Sequence, residues 1–201
     1  EEIKNKINGY SRGVIPEKAI HLTAYIDVGD DYLAWLVAAW AQNFTGSVID
    51  YGTFPDQGRV FSKAMTNRTL GQAYHGAGKE GAILKGLQDL IAILFARQFP
   101  QQNGPPSQIG LCLIDTGYKP ETIHAAIRLA VKGPALRPSC GRGITAGKTQ
   151  FNDKKRDRCR EMGLHWWITK ESPQAVIQID VNFWKTFVHA RLATAQGDPG
   201  A

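Results

Sequence analysis

Two short apolar runs each end in a lone aspartate, Ala24-Tyr25-Ile26-Asp27 and Leu111-Cys112-Leu113-Ile114-Asp115, the second followed at once by Thr116-Gly117. Burying an unpaired carboxylate costs several kcal/mol, so an acid at the end of a buried strand needs a partner or a use. Side by side in one sheet, Asp27 and Asp115 would form an all-oxygen donor pair suited to hard divalent cations. The competing reading is structural, because aspartate often opens a turn through its own side chain, and Asp115-Thr116-Gly117 suits that role.

A second set of residues is basic. Positions 137–160 hold Arg137, Arg142, Lys148, Lys154, Lys155, Arg156, Arg158 and Arg160 against only Asp153 and Asp157, so this segment alone carries the whole chain's net charge of +6. Such a cationic patch fits a polyanion, above all nucleic acid. Within it, 143–149 imitates a phosphate-binding loop, but the pattern GxxxxGK[ST] fails by one residue because position 142 is Arg. ATP binding here is rejected, and the candidate phosphate contacts are Lys132, Arg137, Arg142, Lys148, Lys154, Lys155, Arg156 and Arg158.

The elements that must hold these residues follow from periodicity. Strand patterns cover 20–28, 32–41 and 47–54, separated by turns at 29–31 and 43–46, which makes an antiparallel meander. Helical patterns follow, weak over 60–74 and strong over 79–98, where Ile83, Leu84, Leu87, Leu90, Ile91 and Leu94 recur at helical spacing. A buried strand at 108–115 comes next, then a helix over 120–131 with Pro120 in its first turn, and a short strand near 131–136. A loop over 137–160, a hairpin of 163–170 with 174–180, and a helix over 181–193 complete the chain. His124, His165 and His189 lack partners at ligand spacing, Cys112 reads as a small buried residue, and Trp166-Trp167 as packing residues.

This order predicts an α/β, ribonuclease-H-like (RuvC-like) mixed sheet with flanking helices and an added C-terminal β-hairpin. In that arrangement the first and fourth strands are neighbours, which would bring Asp27 to Asp115. At 201 residues and 22.1 kDa, with 43% hydrophobic and 21% charged residues, the composition is that of a globular chain. Three scattered cysteines argue against a disulfide framework or a zinc site. No apolar run is long enough for a membrane helix. The absence of an initiator methionine predicts a piece of a longer protein.

On these residues the chain resembles the nuclease domain of the large terminase subunit of tailed bacteriophages, in the lambda-like branch. The similar segments are Tyr10-Ser11-Arg12-Gly13 with Pro16, Tyr25-Ile26-Asp27-Val28 with Asp30-Asp31, Val48-Ile49-Asp50-Tyr51-Gly52, Leu113-Ile114-Asp115-Thr116-Gly117, Val131-Lys132-Gly133, and Phe183-Trp184-Lys185 with Arg191-Leu192. The resemblance implies a metal-dependent endonuclease that cuts concatemeric double-stranded viral DNA in the host-cell cytoplasm, using Mg²⁺ or Mn²⁺, two ions in all, at Asp27 and Asp115. It implies residues 1–18 as a linker from an upstream ATPase domain, 19–201 as the nuclease domain truncated at its C-terminus, and the small terminase subunit and portal as partners. A third acidic ligand is expected on a helix after the hairpin. Helix 181–193 has no acid, so Asp180 at its start is a substitute, or the ligand lies past Ala201. The alternatives are a Holliday-junction resolvase or ribonuclease of the same fold, and a catalytically silent DNA-binding or motor-docking module.

Overall fold

The computed structural model describes residues 4–58, 63–130, 135–143, 151, 159–169 and 175–195. It contains two compact units, one of residues 12–138 and one formed by 1–11 with 139–201.

The first unit is built on β1 (His21–Val28), β2 (Leu33–Trp40) and β3 (Gly46–Phe54), an antiparallel meander joined by short turns. Strand β1 alternates as the sequence predicts, with Leu22, Ala24, Ile26 and Val28 buried and Thr23, Tyr25 and Asp27 on the opposite face. The chain then forms α1 (Leu70–Ala73) and α2 (Gly78–Ala96) and a small hairpin of β4 (Phe99–Gln101) and β5 (Gly104–Ser107). It returns as β6 (Leu111–Asp115), parallel to β1, as a crossover helix permits. Helix α3 (Pro120–Leu129) follows, then β7 (Leu136–Arg142). The order of the strands that lie wholly in this unit's main sheet is β3-β2-β1-β6.

One face of these strands carries the core. Ile26, Val28, Leu33, Val37, Cys112 and Ile114 join Ile83, Leu87, Leu90, Ile91 and Leu94 of α2 and Ile123, Ala126 and Ile127 of α3 in a single buried cluster. Burial pushes the Cys112 thiol up to about 12, so it is an inert, apolar packing group.

Several expected elements differ. Of the helix expected over 60–74, the described residues form a 3-10 turn at Lys63–Met65 and an α-helix at Leu70–Ala73, the latter started by a capping box between Thr69 and Gln72. Helix α2, expected to reach Gln98, stops at Ala96, and the proline-containing stretch after it forms a small hairpin to which the sequence reading assigned no element. Within the stretch 1–18 expected as linker, Gly13 and Ile15 are buried: Ile15 is 2% exposed, its amide donates to the Pro100 carbonyl, and it bridges Gln101.

In the second unit the order is β7-β10-β9-β8, with β8 (Cys159–Gly163), β9 (Trp166–Thr169) and β10 (Ile177–Asp180). The expected hairpin is present as the antiparallel pair β9/β10, and β8, whose first two residues fall in the expected basic loop, adds a strand that the sequence reading did not assign. Ser139–Arg142, also expected as loop, pair in parallel with Ile177–Asp180. Proline and glycine in 137–143 conceal this strand, and it is the ladder to β10 that fixes it. Helix α4 (Val181–Ala193) begins where β10 ends. Among the described residues no helix is long and apolar enough to cross a membrane.

Candidate active site

The parallel register sets the central geometry. Strands β1 and β6 pair as far as Ile26 and Ile114, so the next residues, Asp27, the penultimate residue of β1, and Asp115, the last of β6, stand side by side. Paired residues of parallel strands point to the same face, and neighbouring strands lie about 4.8 Å apart. The two carboxylates therefore stand together, away from the core face on which Ile26 and Ile114 are fully buried. The electrostatics agree: the Asp27 carboxyl is held above its ordinary value of 3.8, first by burial and next by the Asp115 charge. Asp115 also accepts a hydrogen bond from the Gly117 amide at 3.1 Å, so the turn-forming role and the pairing coexist.

Asp180 is used differently. It lies at the N-terminus of α4, where Oδ1 accepts from the Phe183 amide at 3.1 Å and Oδ2 lies 3.0 Å from His165 Nδ1. His165 in turn stacks on Phe183 with ring centroids 3.4 Å apart. Both oxygens of this 6%-exposed carboxylate thus hold the start of a helix. Asp180→Ala should lower stability by about 1–3 kcal/mol through loss of the cap and of a buried acceptor, measured by thermal or urea unfolding. A stability within experimental error of the parent chain would show that the cap is dispensable. Among the described residues no group of three or more His, Cys, Asp or Glu is assembled to hold a metal.

Of the basic candidates, Arg137 and Arg142 are exposed on β7, not in a loop. Arg142 Nε donates to Gln178 Oε1 at 2.5 Å, and an Arg137 guanidinium nitrogen to the Leu136 carbonyl at 3.0 Å. Lys132, Lys148, Lys154, Lys155, Arg156 and Arg158 lie outside the described residues.

The sequence reading missed two polar groupings of the first unit. Asp50, 2% exposed in the middle of β3, accepts from Arg12 and Arg97, which stack on Tyr51 and Phe99. An acid inside a strand pattern flanked by Ile49 and Tyr51 was the available signal. The second grouping joins Asp30, Lys79, Glu80, Tyr118 and Lys119 around the loops that follow β1 and β6.

A three-stranded meander, a crossover helix and a parallel fourth strand ending beside the first, each with a terminal aspartate, define a ribonuclease-H-like nuclease core. Residues 1–201 match the family described as terminase large subunit gpA, endonuclease domain, and the chain belongs to that family. It is therefore a nuclease domain of the phage DNA-packaging machinery. Comparison with curated proteins gives no match.

Proposed function

We propose that the chain is a divalent-metal-dependent endodeoxyribonuclease that cuts concatemeric double-stranded DNA, with Asp27 and Asp115 as its metal ligands. The observation that carries this reading is the pair itself: two carboxylates side by side on adjacent parallel strands, with the Asp27 carboxyl raised first by burial and next by the Asp115 charge. Like charges held together without a cation are a standing electrostatic cost, and an oxygen-only donor set matches Mg²⁺ or Mn²⁺. When bound, one or two such ions supply activation of water and stabilisation of the leaving oxygen of a phosphodiester. The chain's own contribution is to fix the ligands. The β1/β6 ladder sets the spacing of the two strand ends, and the Gly117 amide orients Asp115.

Arg137, Arg142, Lys132, Lys148, Lys154, Lys155, Arg156 and Arg158 form the proposed phosphate-contacting set. Each phosphate contact adds about 0.9 to the slope of log affinity against log salt. Replacing Lys154, Lys155 and Arg156 by alanine should weaken binding to all duplexes alike and flatten that slope. Equal affinity of the unaltered chain at low and high salt would overturn this assignment. An ATPase domain of the same polypeptide, the small terminase subunit and the portal are the proposed partners in packaging.

Incubating supercoiled plasmid with the protein tests the metal assignment. Nicking and linearisation should require Mg²⁺ or Mn²⁺ and cease in chelator. Undiminished cleavage in chelator would refute metal dependence. Binding of duplex without cleavage under any divalent ion would favour the silent DNA-binding alternative.

A further inference from the structure

Three residues beyond Asp27 comes Asp30, and three residues beyond Asp115 comes Tyr118. The Tyr118 hydroxyl donates to Asp30 Oδ1. The turn after β1 is thus tied directly to the loop after β6, immediately beyond the two carboxylates. Helix α2 braces the same two loops with consecutive residues. Lys79 Nζ lies 2.9 Å from Asp30 Oδ1, and the Glu80 carboxylate lies 2.8 Å from Lys119 Nζ. Lys119 itself holds a left-handed backbone, φ 50°, at the N-cap of α3, a conformation unfavourable for a side chain with a Cβ. Strain of that kind persists only where surrounding contacts over-determine it. Loop closure does not require these five side chains to converge, because the β1/β6 ladder has already paired the strands up to Ile26 and Ile114. Asp27 is still held in β1 by its pairing with Ala34 of β2, and what the β1/β6 ladder leaves undetermined is the position of Asp115, one residue past its last pair, relative to Asp27.

We infer that the Tyr118–Asp30 hydrogen bond is a clasp that sets the spacing of Asp27 and Asp115 for their divalent cation, making Tyr118 and Asp30 positioning residues of the nuclease centre. This rests on the metal-binding reading above. Lys79 of α2 pairs with Asp30, and Lys119 pairs with Glu80 of α2, so both hold the clasp against that helix. Removing the Tyr118 hydroxyl leaves both ligands and both strands in place but frees the loops, so the cost falls on cation affinity and turnover, not on the fold.

The test is calorimetric titration of the protein with Mn²⁺ alone, alongside plasmid cleavage. Tyr118→Phe and Asp30→Ala should each weaken Mn²⁺ binding about tenfold, the lower end of what outer-shell partners of metal ligands contribute. The double variant should be no weaker than either single one, because both remove the same bond. Asp30→Asn keeps an acceptor for the hydroxyl and should retain nearly the parent affinity, an outcome that general destabilisation would not produce. In cleavage, kcat should fall with KM for DNA unchanged. If Asp27→Asn abolishes Mn²⁺ binding while Tyr118→Phe and Asp30→Ala bind as the parent does, the clasp is refuted and the metal site stands. Asp30→Asn as weak as Asp30→Ala would also refute it. If Asp27→Asn leaves Mn²⁺ binding unchanged, the metal site falls and the clasp with it.

Discussion

Asp27→Asn and Asp115→Asn should each abolish DNA cleavage, by more than about a hundredfold, while the chain stays folded. Outer-shell partners of metal ligands cost 10–100-fold when removed, and a ligand itself should cost more. Asparagine preserves size at both positions and, at 115, an oxygen for the Gly117 amide. The same substitutions carry a stability signature of opposite sign. Because the Asp27 carboxyl is held above 3.8 in the folded chain, that state binds its proton more tightly than the unfolded chain does. Stability therefore falls as pH rises from 3.8 through the raised value, and the penalty persists above it. At neutral pH without divalent ions, Asp27→Asn should melt at or slightly above the parent temperature, and the difference should close in acid. Adding Mn²⁺ should raise the melting temperature of the parent and not of the variant. A variant that still cuts at the parent rate would show that the residue is not a ligand.

The largest effect on stability is expected at Asp50. Its carboxylate is 2% exposed and joins Arg12, which precedes the meander, to Arg97, just past α2. Breaking a buried ion pair by removing one partner costs about 3–5 kcal/mol. The arginine side chains are 59% and 40% exposed and can return to water, which places Asp50→Ala near the lower limit. For a chain of this size about 3 kcal/mol lowers Tm by roughly 6–12 °C. The double variant Arg12→Ala/Arg97→Ala should be at least as unstable, since it leaves the buried charge without a counterion. Cleavage per folded molecule should be unchanged, because Asp50 anchors the edge strand and not the site. An Asp50→Ala protein as stable as the parent would place the ion pairs among those that contribute nothing measurable.

Much of the site was legible because its signal is local. The alternation in β1 and the continuous apolar run in β6 dictate where Asp27 and Asp115 fall, and a meander followed by a crossover helix dictates that the two strands are neighbours. The three strands of the meander begin and end within one or two residues of their expected limits. What was not legible depends on distant partners. Strand β7 contains Pro138 and Gly141, poor strand formers, and exists through its pairing with β10. Strand β8 sits in a stretch whose charge suggests a loop. Asp50 could be seen as an acid in a strand, but its two arginines come from 38 and 47 residues away. Tyr118 carries no motif, and Asp30 stood out only as part of a turn and of a segment similar to the family. Their juxtaposition follows only once β1 and β6 are known to be parallel and in register.

A crystal of the protein grown or soaked with Mn²⁺ and measured at the manganese absorption edge would test the central claim most directly. An anomalous peak between the carboxylates of Asp27 and Asp115, absent from Asp27→Asn crystals, is the result the account predicts. A fully occupied manganese bound elsewhere, with the Asp27–Asp115 pair holding none, would contradict it.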